Sequence, residues 1–259
     1  MTPTANGLLF AAGIFLGMIV LLEAGRRIGM RRLSRDPDGA REGLGVVEGA
    51  VFSLLGLLIA FTFSNAATRF DGRRHMIVEE ANDIGTAYLR VDLLPAEVQP
   101  ALREAFRRYV DVRLEVYRKI PNLTAAQAEL ARMSELQREI WRESSTACRR
   151  SDTTAACLIL LPALNDMFDI TTTRTVAFQT HQPSVVFLML ALVMLACSLL
   201  AGYAMGTGEG RGSRLHAFCF AAVLALSFFV ILDLEYPRIG LIRVDWMDRV
   251  LEDVRSGMK

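Results

Sequence analysis

The chain has 259 residues, 52% of them hydrophobic, with 29 Lys and Arg set against 28 Asp and Glu for a net charge of +1. Its mean hydropathy of +0.31 exceeds that of ordinary soluble domains, so some of its apolar surface must meet lipid. The balanced charge offers no electrostatic footprint for nucleic acid, and the length claimed by apolar segments leaves only a modest core outside a bilayer.

Four segments are apolar enough to cross hydrocarbon, which takes about 20 residues of helix. The first, GLLFAAGIFLGMIVLL from Gly7 to Leu22, predicts a helix over about 7–25. Its length would also suit a signal peptide, but no basic residue precedes it and no small-x-small cleavage site follows. An uncleaved helix is the better reading. The second, over about 43–67, holds a single acidic residue, Glu48, and a charge at that depth needs water, a partner or a function. Along it Gly45, Gly49, Ser53, Gly56, Ala60 and Ser64 recur every three or four residues. A stripe of small residues is the usual device for close helix packing in lipid. Alternatively, several copies of the helix surround an axis, so that Glu48, Ser53, Gly56, Ala60, Thr62, Ser64 and Asn65 line a conduction path. Four helices are too few for a pore, so that alternative requires a homo-oligomer, with small ions as its cargo.

Residues 68–182 read as helical throughout and form a candidate extramembrane domain. No proline occurs between Pro37 and Pro95, and Phe70, Ile77, Ala81, Ile84, Tyr88 and Val91 recur at helical spacing, so the second helix should continue as one long rod. Pro95 and Pro100 break it, and an amphipathic helix is predicted from Ala101, with Leu102, Phe106, Tyr109, Val110, Val112 and Val116 mostly on one side. Another is predicted from Thr124, as N-cap, to about Ser144; LILLPALNDMFDITTTRTVAFQT then leads into the third membrane helix. That helix spans about 184–206 without a charge, and the fourth spans about 217–234, with Tyr236 placed as an interfacial anchor. Asp233, Glu235 and Arg238 lie at its end as an interfacial ion pair or an ion-attracting vestibule. The tail over 236–259 is amphipathic through Trp246, Val250, Leu251 and Val254, suited to docking on the helical domain or lying on the bilayer.

Arginines set the expected topology, because short loops rich in Lys and Arg stay on the cytoplasmic side. Arg26, Arg27, Arg31, Arg32, Arg35 and Arg41 follow the first helix, and Arg211 and Arg214 join the last two. Both connections are then inside, while both termini and the long helical segment are outside. Cys148 and Cys157 lie in that segment, where an oxidising location would let them form a disulfide; in a cytosolic domain they would be two unrelated thiols. Cys197 and Cys219 read as small packing residues within membrane helices.

Enzyme chemistry finds no support. The run GTGEGRGSR from Gly206 lacks the GxxxxGK[ST] spacing and reads as a flexible connector. His75, His181 and His216 sit on separate segments, so neither metal nor cofactor is expected. Asn122, Leu123 and Thr124 match a glycosylation acceptor, a pattern short enough to arise by chance.

The blocks VEGAVFSLLGLLIAFTFSNAATRFDGRRHMIVEEANDIGTAYLRVDLLP from Val47, LPALNDMFD from Leu161 and ILDLEYPRIGLIRVD from Ile231 resemble the bacterial bestrophin-like domain proteins. The resemblance marks Arg69, Asp71, Glu80, Asn82, Tyr88, Arg90, Asp233, Pro237 and Arg238, with Arg69, Asp71, Glu80, Asn82 and Arg90 as a polar network on the outer part of helix two. It implies an all-α protein of a bacterial inner membrane, and kinship with the bestrophins implies a pentameric anion channel. Bestrophins keep their large helical region in the cytoplasm, whereas the arginines here put it outside. The functional expectation is an oligomeric ion channel with helix two lining the pore; the alternative is a non-conducting scaffold or sensor whose outer domain binds a periplasmic or envelope partner. A phosphatase reporter that is active only outside the cytosol should be active when fused after Thr124, and a silent fusion there would reverse the topology.

Overall fold

The computed structural model describes residues 3–37, 39, 44–119, 123–149, 154–208 and 214–258. Arg41, Arg211, Asn122 and residues 209–213 of the glycine-rich run lie outside the described residues. All elements among the described residues are helical: α1 (Pro3–Leu33), α2 (Leu44–Arg90), α3 (Gln99–Lys119), α4 (Leu123–Cys148), α5 (Thr154–Gln179), α6 (Ser184–Thr207), α7 (Arg214–Leu234) and α8 (Arg249–Gly257), with short 3₁₀ turns at Val91–Leu93 and Asp245–Asp248.

Helix α1 outruns the expected span, carrying Arg26, Arg27, Arg31 and Arg32 on the helix rather than in a loop. Glu23 accepts from Arg26 at 2.9 Å and from Arg27 at 2.8 Å, one turn apart, and no proline occurs between Pro3 and Pro37 to stop the helix. Arg31 and Arg32 then sit in the last turn, where the helix dipole favours cations. The predicted long rod is present as α2, a helix of 47 residues. It gives way to a 3₁₀ turn, and Leu94 is extended because the following proline disfavours the helical region. Helix α3 starts two residues before the predicted Ala101, since Pro100 is tolerated in a first turn.

The chain divides into two compact units, Met1–Phe70 with His181–Ile242, and Asp71–Thr180 with Arg243–Lys259. The tail thus leaves the first unit at 243 rather than 236, because residues 236–242 fold back on the end of α7. The backbone N–H of Gly240 donates to the Tyr236 carbonyl at 2.8 Å, and the Asp233 carboxylate accepts from the N–H groups of Leu241 and Ile242 at 2.9 and 2.7 Å. A Cβ on Gly240 would come within 2.6 Å of Asp233 Oδ1, so only glycine fits there.

Among the described residues, four helical stretches are long and apolar enough to cross a membrane. In the first unit, α1 and α6 approach backbone to backbone. A Cβ on Gly25 would overlap the Leu199 carbonyl oxygen, one on Gly29 that of Tyr203, one on Gly202 that of Leu22, and one on Gly206 that of Arg26. Two GxxxG pairs therefore face each other, the spacing that brings small residues onto one helix face. The sequence pattern places small-residue packing on α2, yet a Cβ on Gly45, Gly49 or Gly56 would meet nothing within 4 Å. Helix α7 leans on α1 through Phe10–Phe228 and Phe15–Phe218, with ring centroids 5.7 and 5.4 Å apart. Met18, Met194, Cys197, Ala221 and Phe228 centre this core. Helix α2 joins it through Leu55 and Ala66 and through Phe52, which meets Phe220 edge-on. Only 11% of its most apolar stretch is buried, against 33% for the stretch containing α6.

The second unit packs α3, α4, α5 and the last part of α2 around Ile84, Leu102, Phe106, Tyr109, Ile140, Leu160 and Met167. Cys148 and Cys157 are bonded, tying the end of α4 to the start of α5. Lys119 donates to Glu129 at 2.7 Å between α3 and α4, which holds the glutamate below and the lysine above its ordinary range. Of the two placements open to the tail, docking is the one seen. Leu251 is fully buried, Val250 and Val254 pack on the domain core, and Arg255 grips Asp111 of α3 at 2.7 and 3.0 Å.

Gly202→Ala is expected to lower the unfolding free energy in detergent by about 1–3 kcal/mol through overpacking. Gly13→Ala on the open side of α1 should be neutral or stabilising by up to about 1 kcal/mol; equal effects in a denaturant titration would remove the α1–α6 contact from this role.

Candidate functional site

The membrane part of α2 presents a continuous exposed face. Ser53, Gly56, Ala60, Ser64 and Asn65 all lie on the outside of the unit, as do Gly45 and Gly49. Ser53 Oγ donates to the Gly49 carbonyl at 2.7 Å and Thr68 Oγ1 to that of Ser64 at 2.9 Å. These hydroxyl protons are satisfied by the helix itself, so the face can meet hydrocarbon or another helix and still offer lone pairs. Leu54, Leu57 and Phe61 are exposed beside it. Thr62 departs from the expected lining. It is buried, its hydroxyl bonded back to Leu58 and Ile59 at 2.7 and 3.1 Å, because it projects toward the bundle rather than away from it. Glu48 is half-buried, and its Oε1 has no hydrogen-bond partner among the described residues. It is the one ionisable residue of α2 before Arg69.

A polar junction closes the first unit beyond α7. Asp233, Glu235 and Arg238, expected at an interface, are all buried, and both carboxylates take partners that the sequence pattern does not indicate. The Asp233 carboxylate accepts from the backbone N–H groups of Leu241 and Ile242. Glu235 binds Arg69 of α2, whose Nε donates at 2.9 Å, while Arg69 Nη2 also donates to the side chain of Gln182 at 2.6 Å. The Gln182 N–H reaches Glu235 Oε2 at 3.4 Å, and His181 lies 3.9 Å from the same oxygen while stacking on Tyr236 at 4.8 Å. Arg69, marked by the resemblance but not tied to α7 by any local spacing, completes this site with Gln182 and His181.

The remaining residues of the expected outer network do not form a single cluster, because they project from different sides of the helix. Asp71 pairs locally with Arg74 at 3.1 Å, Asn82 is exposed, and Arg90 donates to the Ile159 carbonyl. Glu80 alone is fully buried, and it lies between two buried guanidinium groups, Arg113 of α3 and Arg174 of α5. Tyr117 donates its hydroxyl to Glu80 Oε2 at 2.9 Å, and both arginines lie over its ring, at 4.8 and 4.3 Å. Nearby, the Tyr109 hydroxyl meets Thr171 at 2.9 Å. The resemblance marks Glu80, and Arg113 and Tyr117 stand four residues apart on one helix face; Arg174 carries no sequence signal. Among the described residues no cluster of three His, Cys, Asp or Glu side chains could hold a metal ion.

A Bestrophin-like domain matches residues 14–246, nearly the whole chain. The chain belongs to the bestrophin-like family. The fold of this bestrophin-like protein is similar to a crystal structure described as that of a membrane protein, at 14% identity and a TM-score of 0.65, covering 94% of this chain and 97% of the other. Comparison with curated protein sequences gives no match.

Because a buried ion pair stripped of one partner strands the other, Glu80→Ala is expected to cost about 3–5 kcal/mol. Glu80→Gln should cost less, since the Tyr117 hydroxyl keeps an acceptor; chemical unfolding of the two variants checks the order.

Proposed function

We propose that this bestrophin-like protein assembles as a homo-oligomer, a pentamer by family analogy, and conducts small ions along an axis lined by α2. The observation that carries this reading is the small-residue face of α2, open along Gly45, Gly49 and Gly56 while Gly25, Gly29, Gly202 and Gly206 of the same unit are packed to backbone contact. Helices without a hydrophobic drive to associate in lipid use such faces to approach one another, and a second copy of α2 is a partner of matching shape. Once copies meet there, Ser53, Ser64 and Asn65 supply lone pairs and amide groups along a path otherwise walled by Gly56 and Ala60. Kinship makes anions the first candidate, and Glu48 near one end is the charge that would modulate them. Both termini and the 71–180 unit stand outside a bacterial inner membrane, on the arginine count of the two connections and on the bonded cysteine pair.

A non-conducting scaffold or sensor is the second reading, supported by exposed Leu89, Leu93, Leu158 and Ile159 on the second unit, which would suit a protein partner. Reconstitution into planar bilayers separates the two. Single-channel currents are expected, with Gly56→Trp cutting conductance by more than about tenfold and Glu48→Gln shifting the reversal potential in a salt gradient. Silence from a well-folded oligomer would leave the scaffold reading.

A further inference from the structure

Within the first unit, the start of α1, the start of α6 and the end of α7 line a half-open cavity of about 600 Å³, within the range of small-molecule sites. Its walls are aromatic and aliphatic, with Phe10, Phe187, Phe228, Phe229 and Leu232 at their centre. Phe228 anchors that wall, 5.7 Å from Phe10 and 6.1 Å from Phe187 between ring centroids. Its polar end is made by His181, Gln182, Asp233 and Glu235. The two carboxylates are nearly inaccessible, at 6% and 1% exposure, and no Lys or Arg side chain lines the cavity. Arg69 reaches Glu235 from α2, and the N–H groups of Leu241 and Ile242 reach Asp233 from the following turn, so both carboxylates are fixed in place.

A cavity with aromatic walls and carboxylates at one end is complementary to an amphiphile whose polar head is an ammonium group. The head gains from opposite charge and from the ring faces, and the tail fills the apolar part. The same helix ends expose Leu8, Leu9 and Val185, residues that face lipid if α1 and α6 cross the membrane. We infer that the cavity binds a membrane lipid with a primary-amine head group, of the phosphatidylethanolamine type, with the ammonium at Asp233 and Glu235 and one acyl chain along Phe187 and Phe228. An anionic lipid with the same chains lacks the ammonium that the carboxylates and the ring faces would receive.

Native mass spectrometry of the wild-type protein, given equal amounts of dioleoyl phosphatidylethanolamine and dioleoyl phosphatidylglycerol in detergent, reads this preference directly. The phosphatidylethanolamine adduct is expected to exceed the other by about tenfold. Gly7→Leu is the occluding variant, since a Cβ there makes only ordinary contact, 3.6 Å from Leu232 and 3.9 Å from Phe229, and the added carbons enter the cavity. It should abolish the preference, while Leu16→Ala on the outer face of α1 should keep it. Equal retention of the two lipids by the wild type, or an undiminished preference in Gly7→Leu, overturns the assignment. If Gly7→Leu does not elute as a single folded species, the wild-type comparison decides alone. No current is measured, so the outcome stands apart from whether α2 lines a pore.

Discussion

The close approach of α1 and α6 is the contact on which the first unit depends. In hydrocarbon, apolar side chains gain nothing by leaving lipid for one another, so helices associate through fit and dispersion. Four glycines let two backbones meet at Gly25, Gly29, Gly202 and Gly206, and the carbonyls of Leu22, Arg26, Leu199 and Tyr203 occupy the space where side chains would stand. Helix α7 then leans on this pair through phenylalanines, whereas α2 touches the unit along a narrow line. The unit is thus a packed pair with one loosely engaged helix, and the loosely engaged helix is the one with an unused face.

The second unit is organised around charge as well as apolar packing. Glu80, Arg113 and Arg174 bring α2, α3 and α5 together at one point, each nearly sealed from solvent. Such a cluster costs desolvation and offsets it through mutual attraction and the Tyr117 hydroxyl and ring. Its contribution lies in specificity of arrangement. A hydrophobic core of this size could tolerate a shift of one helix turn, but a buried carboxylate between two guanidinium groups accepts only one register. The bonded cysteines and the Asp111–Arg255 pair act on the periphery of the same body.

The four apolar stretches are legible in the sequence because little besides a bilayer demands uniform apolarity over about 20 residues of helix. The unbroken run from Leu44 to Arg90 is legible because no proline or glycine pair interrupts it. The glycine contact is hidden for a specific reason. Small residues recur every three or four positions along the membrane part of α2, which makes that helix look like the packed one, while Gly25 and Gly29 lie among arginines that read as a loop, and Gly202 and Gly206 border a glycine-rich connector. Frequency on a face does not say whether that face is occupied; only the neighbour's backbone does. The polar junction is half legible, since Asp233, Glu235 and Arg238 cluster in sequence. The partners of Glu235, Arg69 and Gln182, are separated from it by 166 and 53 residues, and no local spacing encodes that. Arg174 is invisible for the same reason.

The pairing of α1 with α6 sets the order of biogenesis. Ribosomes deliver α1 first, yet its glycine-faced groove has no mate until every residue of α2 through α5 has been made. The first helix must therefore wait in the bilayer with two bare backbone patches, guarded only by lipid or by the insertion machinery. Productive assembly is completed late, when α6 emerges and slots into place, so chains that stall before Gly202 should be the ones that quality-control proteases recognise.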